Sequence, residues 1–357
     1  MRALGLVVLA VWSASGSRGA LELLGRWDAQ WYAGIATDGY GTVVRHEDGR
    51  LLSDFAFFPL LPTLERGVAW ASGLGPLEAG LVVTAAASVV AAWGIFAVGE
   101  HLYDRRTGTL LVALWAALPI AIVTSMAYSE SLFTAFAAWS LHAAMTGRWV
   151  WAGLLASLAG LTRPVGVAVA AAVVVSAAVV LLRRDRAAPG APSRVWPLVT
   201  GALLAPMGWL AYVGWVGVQT GRPLGYFEVT DRWGNGFDGG VAFGQWILGY
   251  LTSPSWPTGV LLCASVVAVL LLVAWGVRAR LPLPLLVFMG VSVVLAFTTA
   301  GYFGSKPRYL LPVFPLLIPL TAALARVRLR RTASALVAMT VASSAYGAFW
   351  LNGTGPP

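Results

Sequence analysis

The sequence predicts an all-α polytopic membrane protein, and three observations lead to this prediction. Hydrophobic residues make up 58% of the 357 positions, and charged residues only 11%. The mean hydropathy is +0.76. The apolar residues form long runs, which arginine clusters or Gly and Pro residues interrupt. A soluble globular protein of this length would lack the polar groups needed to cover its surface.

Eleven apolar runs divide the chain, and each is a candidate membrane span. A span needs about 20 apolar residues, and fewer where the helix is buried among others. The runs lie near residues 3–16, 77–100, 108–126, 129–146, 149–161, 164–182, 195–219, 256–277, 281–299, 309–325 and 332–350. We therefore predict a single domain over residues 1–357 with about eleven transmembrane helices. The fifth and sixth runs leave and return to one side, which predicts two short helices that meet near Arg163 and Pro164.

The arginines predict the orientation of the chain. With the N-terminus inside, 14 of the 24 cationic residues but only three of the 15 acidic residues fall in cytoplasmic segments. This matches the excess of positive charge that cytoplasmic loops carry. The cytoplasmic cations are Arg2, Arg105, Arg106, Arg148, Arg183, Arg184, Arg186, Arg194, Arg278, Arg280, Arg326, Arg328, Arg330 and Arg331, and the acids are Glu100, Asp104 and Asp185.

Composition also disfavours some partners and sites. The net charge of +9 comes from short clusters between apolar runs rather than from one basic face, so it argues for topology and against nucleic acid. The single cysteine, Cys263, permits neither an intrachain disulfide nor a cysteine-based metal site.

Two longer segments are predicted on the outer face, residues 17–76 and 220–255. The cytoplasmic loops are short and mostly arginine, so any chemistry is expected outside, in a multi-pass protein of the cell membrane. The first apolar run is either a span or a cleaved signal peptide, because small residues follow it. In both cases the segment after it lies outside.

The stretch RWDAQWYAGIATDGY, residues 26–40, predicts a short helix in the outer membrane interface. Its aromatic rings would lie at headgroup depth, and Gly39 would end the helix. Asp28 has two interpretations. It either caps the helix N-terminus, or it is a carboxylate whose pKa partial desolvation raises toward the range of a general base. Asp38 is interpreted first as a helix-end residue.

The next outer segment, DFAFFPLLPTLERGVAW at residues 54–70, is apolar but is interrupted by Pro59 and Pro62. It is therefore not expected to span the membrane. Two interpretations remain open: it dips into the outer leaflet and holds a lipid chain, or it is a packing loop.

Polar residues interrupt apolar runs at three other outer positions. These are Tyr128, Ser129 and Glu130, then Arg163, and then Lys306 and Arg308. Taken singly, Ser129 is interpreted as a helix cap, and Lys306 and Arg308 as side chains that reach the headgroups. Taken together with Asp28, they supply a base and the cations that a phosphate leaving group requires. No Asp-x-Asp pair and no Gly-rich phosphate loop occurs, which disfavours a nucleotide donor.

These residues resemble the PIG-V type of mannosyltransferase, and the likeness extends over nearly the whole chain. The matching motifs are Trp27-Asp28 with Tyr32, Ile35-Ala36 and Gly39-Tyr40; Phe57-Phe58-Pro59-Leu60 with Pro62; Tyr128-Ser129-Glu130-Ser131-Leu132-Phe133; Thr162-Arg163-Pro164; and Arg308-Tyr309-Leu310 with Pro312 and Pro315. In one place the sequence departs from that family: eukaryotic members follow the arginine with a small polar residue and Asn-Gly, whereas Pro164-Val165-Gly166 follows Arg163 here.

The resemblance implies the GT-C glycosyltransferase architecture and inverting transfer from polyprenyl-phosphate-mannose on the periplasmic side, with no metal or other cofactor. Asp28 is then the expected base. Arg163, Lys306 and Arg308 would hold the phosphate. The sugar pocket would be shaped by Trp27, Tyr32, Tyr128 and Glu130. The composition is typical of a GC-rich bacterium, and bacteria make no GPI anchors, so the expected acceptor is an envelope glycan or glycolipid.

Two other functions remain open on the sequence alone. A transporter or flippase of a lipid-linked glycan is expected to carry ionisable residues deep within spans, or paired broken helices. A scaffold that kept the fold without activity is the other alternative, although Asp28, Glu130 and Arg308 are all retained.

Overall fold

The computed structural model describes residues 1–14, 18–184, 195–301, 303–353 and 355, and they are almost entirely helical. Of the cations predicted to be cytoplasmic, Arg186 and Arg194 lie outside the described residues, as does Asp185. Two short strands, β1 (Val43–Arg45) and β2 (Leu51–Ser53), form an antiparallel hairpin with Val44 opposite Leu52.

The helices are α1 (Arg2–Ser13), α2 (Ala20–Leu24), α3 (Asp28–Asp38), α4 (Leu60–Ser72), α5 (Pro76–Leu102), α6 (Arg105–Ala116), α7 (Glu130–Met145), α8 (Trp149–Gly160), α9 (Gly166–Arg184), α10 (Trp196–Leu204), α11 (Met207–Thr220), α12 (Gly225–Arg232), α13 (Val241–Leu251), α14 (Trp256–Arg278), α15 (Leu283–Thr298), α16 (Lys306–Leu310), α17 (Ile318–Leu324) and α18 (Leu329–Asn352). Short 3-10 turns cover Asp54–Ala56, Ala121–Ser125, Phe303–Ser305 and Phe314–Leu317.

Five helical stretches in the described part of the chain are long and apolar enough to cross a membrane. They are Pro76–Leu102, Gly166–Arg183, Trp196–Thr220, Trp256–Arg278 and Leu329–Asn352. The all-α fold with several membrane-spanning helices is therefore confirmed, whereas the total of eleven spans stays a prediction.

The helices give the bundle two chemically different ends. α5 and α7 run parallel, because Thr84 bonds to the Tyr128 carbonyl near one end while the His101 and His142 rings meet at the other. α6 and α18 begin at this second end, where Arg106 donates to the Val327 carbonyl at 2.6 Å. The arginines that precede or follow these helices therefore gather at one end of the bundle, and the start of α7 lies at the other.

Prolines break three of the predicted continuous spans. The run 108–126 ends as an α-helix at Ala116, before Pro119, and continues as a 3-10 turn. The run 195–219 is divided at Pro206. The run 309–325 contains a 3-10 turn between α16 and α17, where three prolines remove backbone donors. Two helices do meet near Arg163, as predicted, but only α8 is short, because α9 has 19 residues and is long enough to cross a membrane.

Glycines let neighbouring helices approach closely in the bundle. A Cβ added to Gly201 on α10 would lie 2.2 Å from the Trp149 carbonyl oxygen on α8, and one added to Gly208 would lie 2.0 Å from the Ser157 carbonyl oxygen. Such contacts leave room for a hydrogen atom only. Small residues of this kind let membrane helices pack closely, which stabilises their association because the hydrophobic effect does not drive it in lipid.

The position predicted for Arg2 is wrong. Its guanidinium contacts the Ser88 hydroxyl, at the middle of the 27-residue helix α5, and lies 5.6 Å from the centre of the Trp115 ring. It is thus not level with Arg106 at the arginine-rich end. The reason is length, since the 12 residues of α1 extend only about 18 Å.

The two outer segments contain more regular structure than their sequences indicate. Residues 17–76 hold α2, α3, the hairpin and α4, and residues 220–255 hold α12 and α13 rather than a glycine-rich loop alone. In the segment 54–70, Phe58 and Leu61 are buried, and Phe58 packs on Tyr212 with a centroid distance of 4.4 Å. This favours the packing interpretation of that segment over a lipid-holding surface.

Candidate functional site

The short helix predicted within residues 26–40 is present. α3 covers Asp28–Asp38, and Gly39 ends it with φ of 85°. Its N-cap residue is Trp27, so the interpretation of Asp28 as the cap is wrong. Trp27 has φ of 55°, a conformation that costs a non-glycine residue about 1–3 kcal/mol. Backbone strain thus lies directly before the candidate base.

The aromatic rings of α3 pack on other parts of the protein. Trp31 stacks on Phe57 with a centroid distance of 5.6 Å and meets Trp233 edge-on at 5.1 Å. Tyr32 is buried, and its hydroxyl forms a 2.9 Å hydrogen bond with Ser129. These contacts orient the helix, because one face of α3 is fixed against α4 and α5.

Two carboxylates and two guanidiniums form an ion cluster where α3, α7, the α8–α9 turn and α16 meet. Arg308 donates from one nitrogen to Asp28 and from Nε to Oε1 of Glu130. Arg163 reaches the same Glu130 oxygen at 2.5 Å. We call Asp28, Glu130, Arg163 and Arg308 the outer cluster. Four segments far apart in sequence supply it, and its formal charges cancel.

Exposure distinguishes the four side chains of the outer cluster. The side chain of Asp28 is 28% exposed, whereas those of Arg308 and Arg163 are 6% and 10% exposed and that of Glu130 is fully buried. The accessible member is therefore a carboxylate, and the cations lie behind it. The alternative in which Arg308 extends to lipid headgroups is wrong, because two carboxylates hold it inside the protein.

Tyr128 lies beneath the cluster as a positioning residue. It is fully buried, its hydroxyl donates to the Arg26 carbonyl at 3.2 Å, and the Arg308 guanidinium lies 4.4 Å from its ring centre. Its backbone carbonyl accepts from Thr84 at 3.2 Å. Tyr128 and Glu130 were predicted to shape a sugar pocket, but in this conformation neither reaches the surface. They hold Arg308 and the chain before Asp28 instead.

Ser129 occupies the N-cap position of α7 but does not cap it. Its hydroxyl contacts the Tyr32 hydroxyl and accepts from Arg163 at 3.2 Å. It thereby connects α3 to the turn that carries Arg163. The capping interpretation is therefore wrong for the side chain, and Ser129 joins the shell around the outer cluster.

Two predicted site residues lie beside the cluster without contacting it. Trp27 precedes Asp28, but its ring packs under the Arg26 guanidinium at 4.0 Å. Lys306 is buried, donates to the Thr299 carbonyl at 2.5 Å and lies 5.4 Å from the Phe243 ring centre. The alternative in which Lys306 extends to lipid headgroups is wrong as well, because its side chain is buried.

Three further residues hold the outer segment, and they were not predicted. Arg26 donates to the Leu351 and Gly353 carbonyls, each at 2.8 Å. Asp54 is buried and accepts from the backbone N–H groups of Gly41 and Thr42, each at 2.9 Å. Arg66 donates to the Ala36 carbonyl at 2.6 Å. In the sequence they differ from their surroundings only as charged residues in an apolar segment. That pattern does not distinguish residues that hold the fold from residues of a functional site.

Comparison of the whole fold with solved structures gives a match for nearly the complete chain. ArnT from Cupriavidus metallidurans bound to undecaprenyl phosphate aligns with a TM-score of 0.56 and 16% identity, over 95% of this chain and 62% of ArnT. Apo ArnT aligns with a TM-score of 0.56 and 17% identity, over 95% of this chain and 61% of ArnT. The chain has the GT-C fold. It spans about three-fifths of the length of ArnT.

Other comparisons add less to this GT-C assignment. The archaeal oligosaccharyltransferase AglB from Archaeoglobus fulgidus aligns with a TM-score of 0.49 and 13% identity, over all of this chain and 56% of AglB. No protein-family model and no curated protein matches the chain. The expected GT-C architecture is thus confirmed, while the mannosyltransferase family stays a resemblance.

Proposed function

We propose that this protein is an inverting glycosyltransferase that moves a sugar from a polyprenyl-phosphate donor to a glycan or glycolipid of the cell envelope. The observation that supports this most strongly is the outer cluster, in which a partly exposed carboxylate stands in front of two buried guanidiniums. The GT-C fold agrees with it, as does the undecaprenyl phosphate bound by ArnT.

In the proposed reaction, the acceptor hydroxyl oxygen bonds to the anomeric carbon while the bond from that carbon to the phosphate oxygen breaks. The hydroxyl proton passes to Asp28, and the electron pair of the broken bond remains on the polyprenyl phosphate. Attack opposite the leaving group inverts the anomeric centre. A positioned base of this kind contributes about 10²–10⁴-fold to the rate.

The ion pair between Asp28 and Arg308 links the two halves of this reaction. When Asp28 takes the proton, it loses its negative charge, and Arg308 loses one of its two anionic partners. Its guanidinium is then available to the phosphate at the stage when negative charge develops there. Arg163 and Lys306 add positive charge to the same side of the protein. The proposed reaction needs no metal or other cofactor.

We further propose that the outer cluster lies on the periplasmic side of the cell membrane. The arginines near α6, α8 and α18 occupy the opposite end of the bundle, and positive charge concentrates on the cytoplasmic side. Mannose is the proposed sugar because of the sequence resemblance, and donor panels with glucose and arabinose would test it.

The experiment is a transfer assay in proteoliposomes with polyprenyl-phosphate-mannose and an extracted envelope glycolipid as acceptor. Asp28→Asn should lose transfer by at least about 10²-fold, whereas Asp38→Asn, at the other end of the same helix, should keep it. Transfer by Asp28→Asn at the wild-type rate, with equal protein in the vesicles, would exclude the proposed base. A flippase would move the lipid without changing its mass, and a scaffold would do neither. Mass spectrometry of envelope glycolipids from a deletion strain would identify the acceptor.

A further inference from the structure

A groove of about 190 Å³ opens at the arginine-rich end of the bundle, between α7 and α8. It is lined by Trp139, His142, Ala143, Arg148, Trp151 and Leu155. His142 lies 12 residues beyond Glu130 on α7, which is about 18 Å along the helix. The groove is therefore separate from the outer cluster and has no part in the proposed transfer.

The charge at the rim of this groove is positive and uncompensated. Arg148 is exposed, and within the described residues its guanidinium has neither an ion pair nor a hydrogen bond. The two acidic residues of the same corner are already engaged. Glu100 lies 3.6 Å from Arg105, and Asp104 caps α6 by accepting from the Thr107 N–H at 2.7 Å. An anion at the rim would thus meet a free cation and no opposing carboxylate.

A second polar group of the groove has an unfilled hydrogen-bonding position. Nδ1 of His142 is buried and has no hydrogen-bond partner in the described part of the chain. Unpaired buried polar atoms are uncommon, since each costs free energy unless a ligand or water satisfies it. The His101 ring, 5.6 Å away, adds another imidazole to this corner.

The walls of the groove are aromatic and partly exposed. Trp151 is 63% exposed, and Trp139 packs edge-on against Trp93, which is 65% exposed, at 5.1 Å. The Trp139 indole N–H is already bound to the Val90 carbonyl at 3.1 Å, so its ring offers an apolar surface. Tryptophan concentrates at the boundary between hydrocarbon and headgroups.

We propose that this groove is a binding site for an anionic glycerophospholipid of the membrane. The phosphate lies at Arg148, beside the His142 ring, and an acyl chain lies along Trp139 and Trp151. A soluble anion would use the cation but not the apolar walls. A zwitterionic lipid would bring its own positive charge next to Arg148.

The test is native mass spectrometry of the delipidated full-length protein, titrated with phosphatidylglycerol and with phosphatidylcholine of the same acyl chains. Phosphatidylglycerol should bind more tightly. Arg148→Gln should weaken its binding about five- to tenfold, and His142→Gln should also weaken it. Arg148→Lys should retain most of the binding because it keeps the charge. Arg278→Gln, which removes an exposed arginine on α14, should change nothing.

Three results would overturn the proposal. One is equal binding of the two lipids by the wild-type protein. Another is unchanged phosphatidylglycerol binding by Arg148→Gln when its thermal unfolding matches that of the wild type. The third is equally tight binding of glycerol phosphate, which has no acyl chains and would identify a simple anion site. None of these results depends on transfer activity, so the lipid site and the proposed function can fail separately.

Discussion

Replacing Glu130 with glutamine removes one negative charge from the most buried point of the outer cluster. Oε1 of Glu130 accepts from both Arg163 and Arg308, while Oε2 has no partner among the described residues. Glutamine keeps an acceptor of the same size but leaves two guanidiniums facing each other without their shared anion. The change therefore tests charge with little change in packing.

The structure allows the size of this effect to be estimated. Removing one partner from a buried ion pair costs about 3–5 kcal/mol. Arg308 keeps Asp28 in this variant, so we expect the lower end, about 3 kcal/mol. At about 2 °C per kcal/mol for a chain of this length, the midpoint of thermal unfolding should fall by about 6 °C.

Cys263 provides the assay for this prediction. It is the only cysteine and is partly buried in α14, so a thiol-reactive fluorescent dye reports unfolding through one position. The matched control is Glu228→Gln, which breaks an Arg222–Glu228 pair of similar length whose side chains are 63% and 41% exposed. Exposed pairs contribute about 0–1 kcal/mol, so this control should change the midpoint by at most about 2 °C.

A double variant tests whether Glu130 and Arg163 stabilise the fold as a pair. Glu130→Gln with Arg163→Gln removes both members of one pair, so it should unfold at a higher temperature than the sum of the two single changes predicts. A stabilising role of the Glu130 charge is excluded if Glu130→Gln unfolds within 1 °C of the control. It is also excluded if the midpoint of the double variant falls by the full sum of the two single changes.

Three further predictions concern other parts of the chain. Tyr128→Phe keeps the ring under Arg308 but removes the hydrogen bond to the Arg26 carbonyl, so it should lower the free energy of unfolding by about 1 kcal/mol. In the proposed transfer assay it should lower kcat more than it changes KM. Gly201→Ala should lower the unfolding midpoint through backbone overlap with α8, whereas Gly214→Ala, with nothing within 4 Å of the new Cβ, should leave it level or higher. Burial lowers the pKa of Lys306 to about 8, and Asp238 opposes this shift. Below about pH 8 the buried Lys306 is charged, and burial of this charge lowers the free energy of unfolding. This penalty is lost as the pH rises from there toward the pKa in the unfolded chain, about 10.4. Lys306→Met should therefore be more stable than the wild type at pH 7, and thermal unfolding should show that this difference shrinks between pH 7 and 10.

Most of the helical fold was predictable because apolar periodicity and charge breaks act locally. The bounds of α5, α14 and α18 agree with the predicted runs within a few residues. The interruptions at Pro119 and Pro206 were not predicted, because hydropathy averages across a proline and ignores the donor it lacks. The helices α12 and α13 were not predicted, because the glycines that surround them are typical of turns.

The outer cluster was predictable in its members but not in its pairing. Asp28, Glu130, Arg163 and Arg308 were each marked as polar residues in apolar surroundings, and the structure brings them into contact. Sequence gave no means of knowing that Glu130 lies between the two arginines, because such contacts depend on helix packing over 178 residues. For the same reason it did not show that Lys306 donates to the Thr299 carbonyl.

The order of synthesis gives the pair of Asp28 and Arg308 another meaning. The two residues are 280 positions apart, and the carbonyls that hold Arg26 belong to Leu351 and Gly353. Three of the four members of the outer cluster are therefore made long before Arg308 leaves the ribosome. Until α16 arrives, Asp28 and Glu130 lack the guanidinium they share, and Arg26 lacks its two carbonyl acceptors until the end of α18 is made. A chain that stops before α16 would carry Asp28 and Glu130 without Arg308, so we expect such incomplete copies to lack the proposed transfer activity.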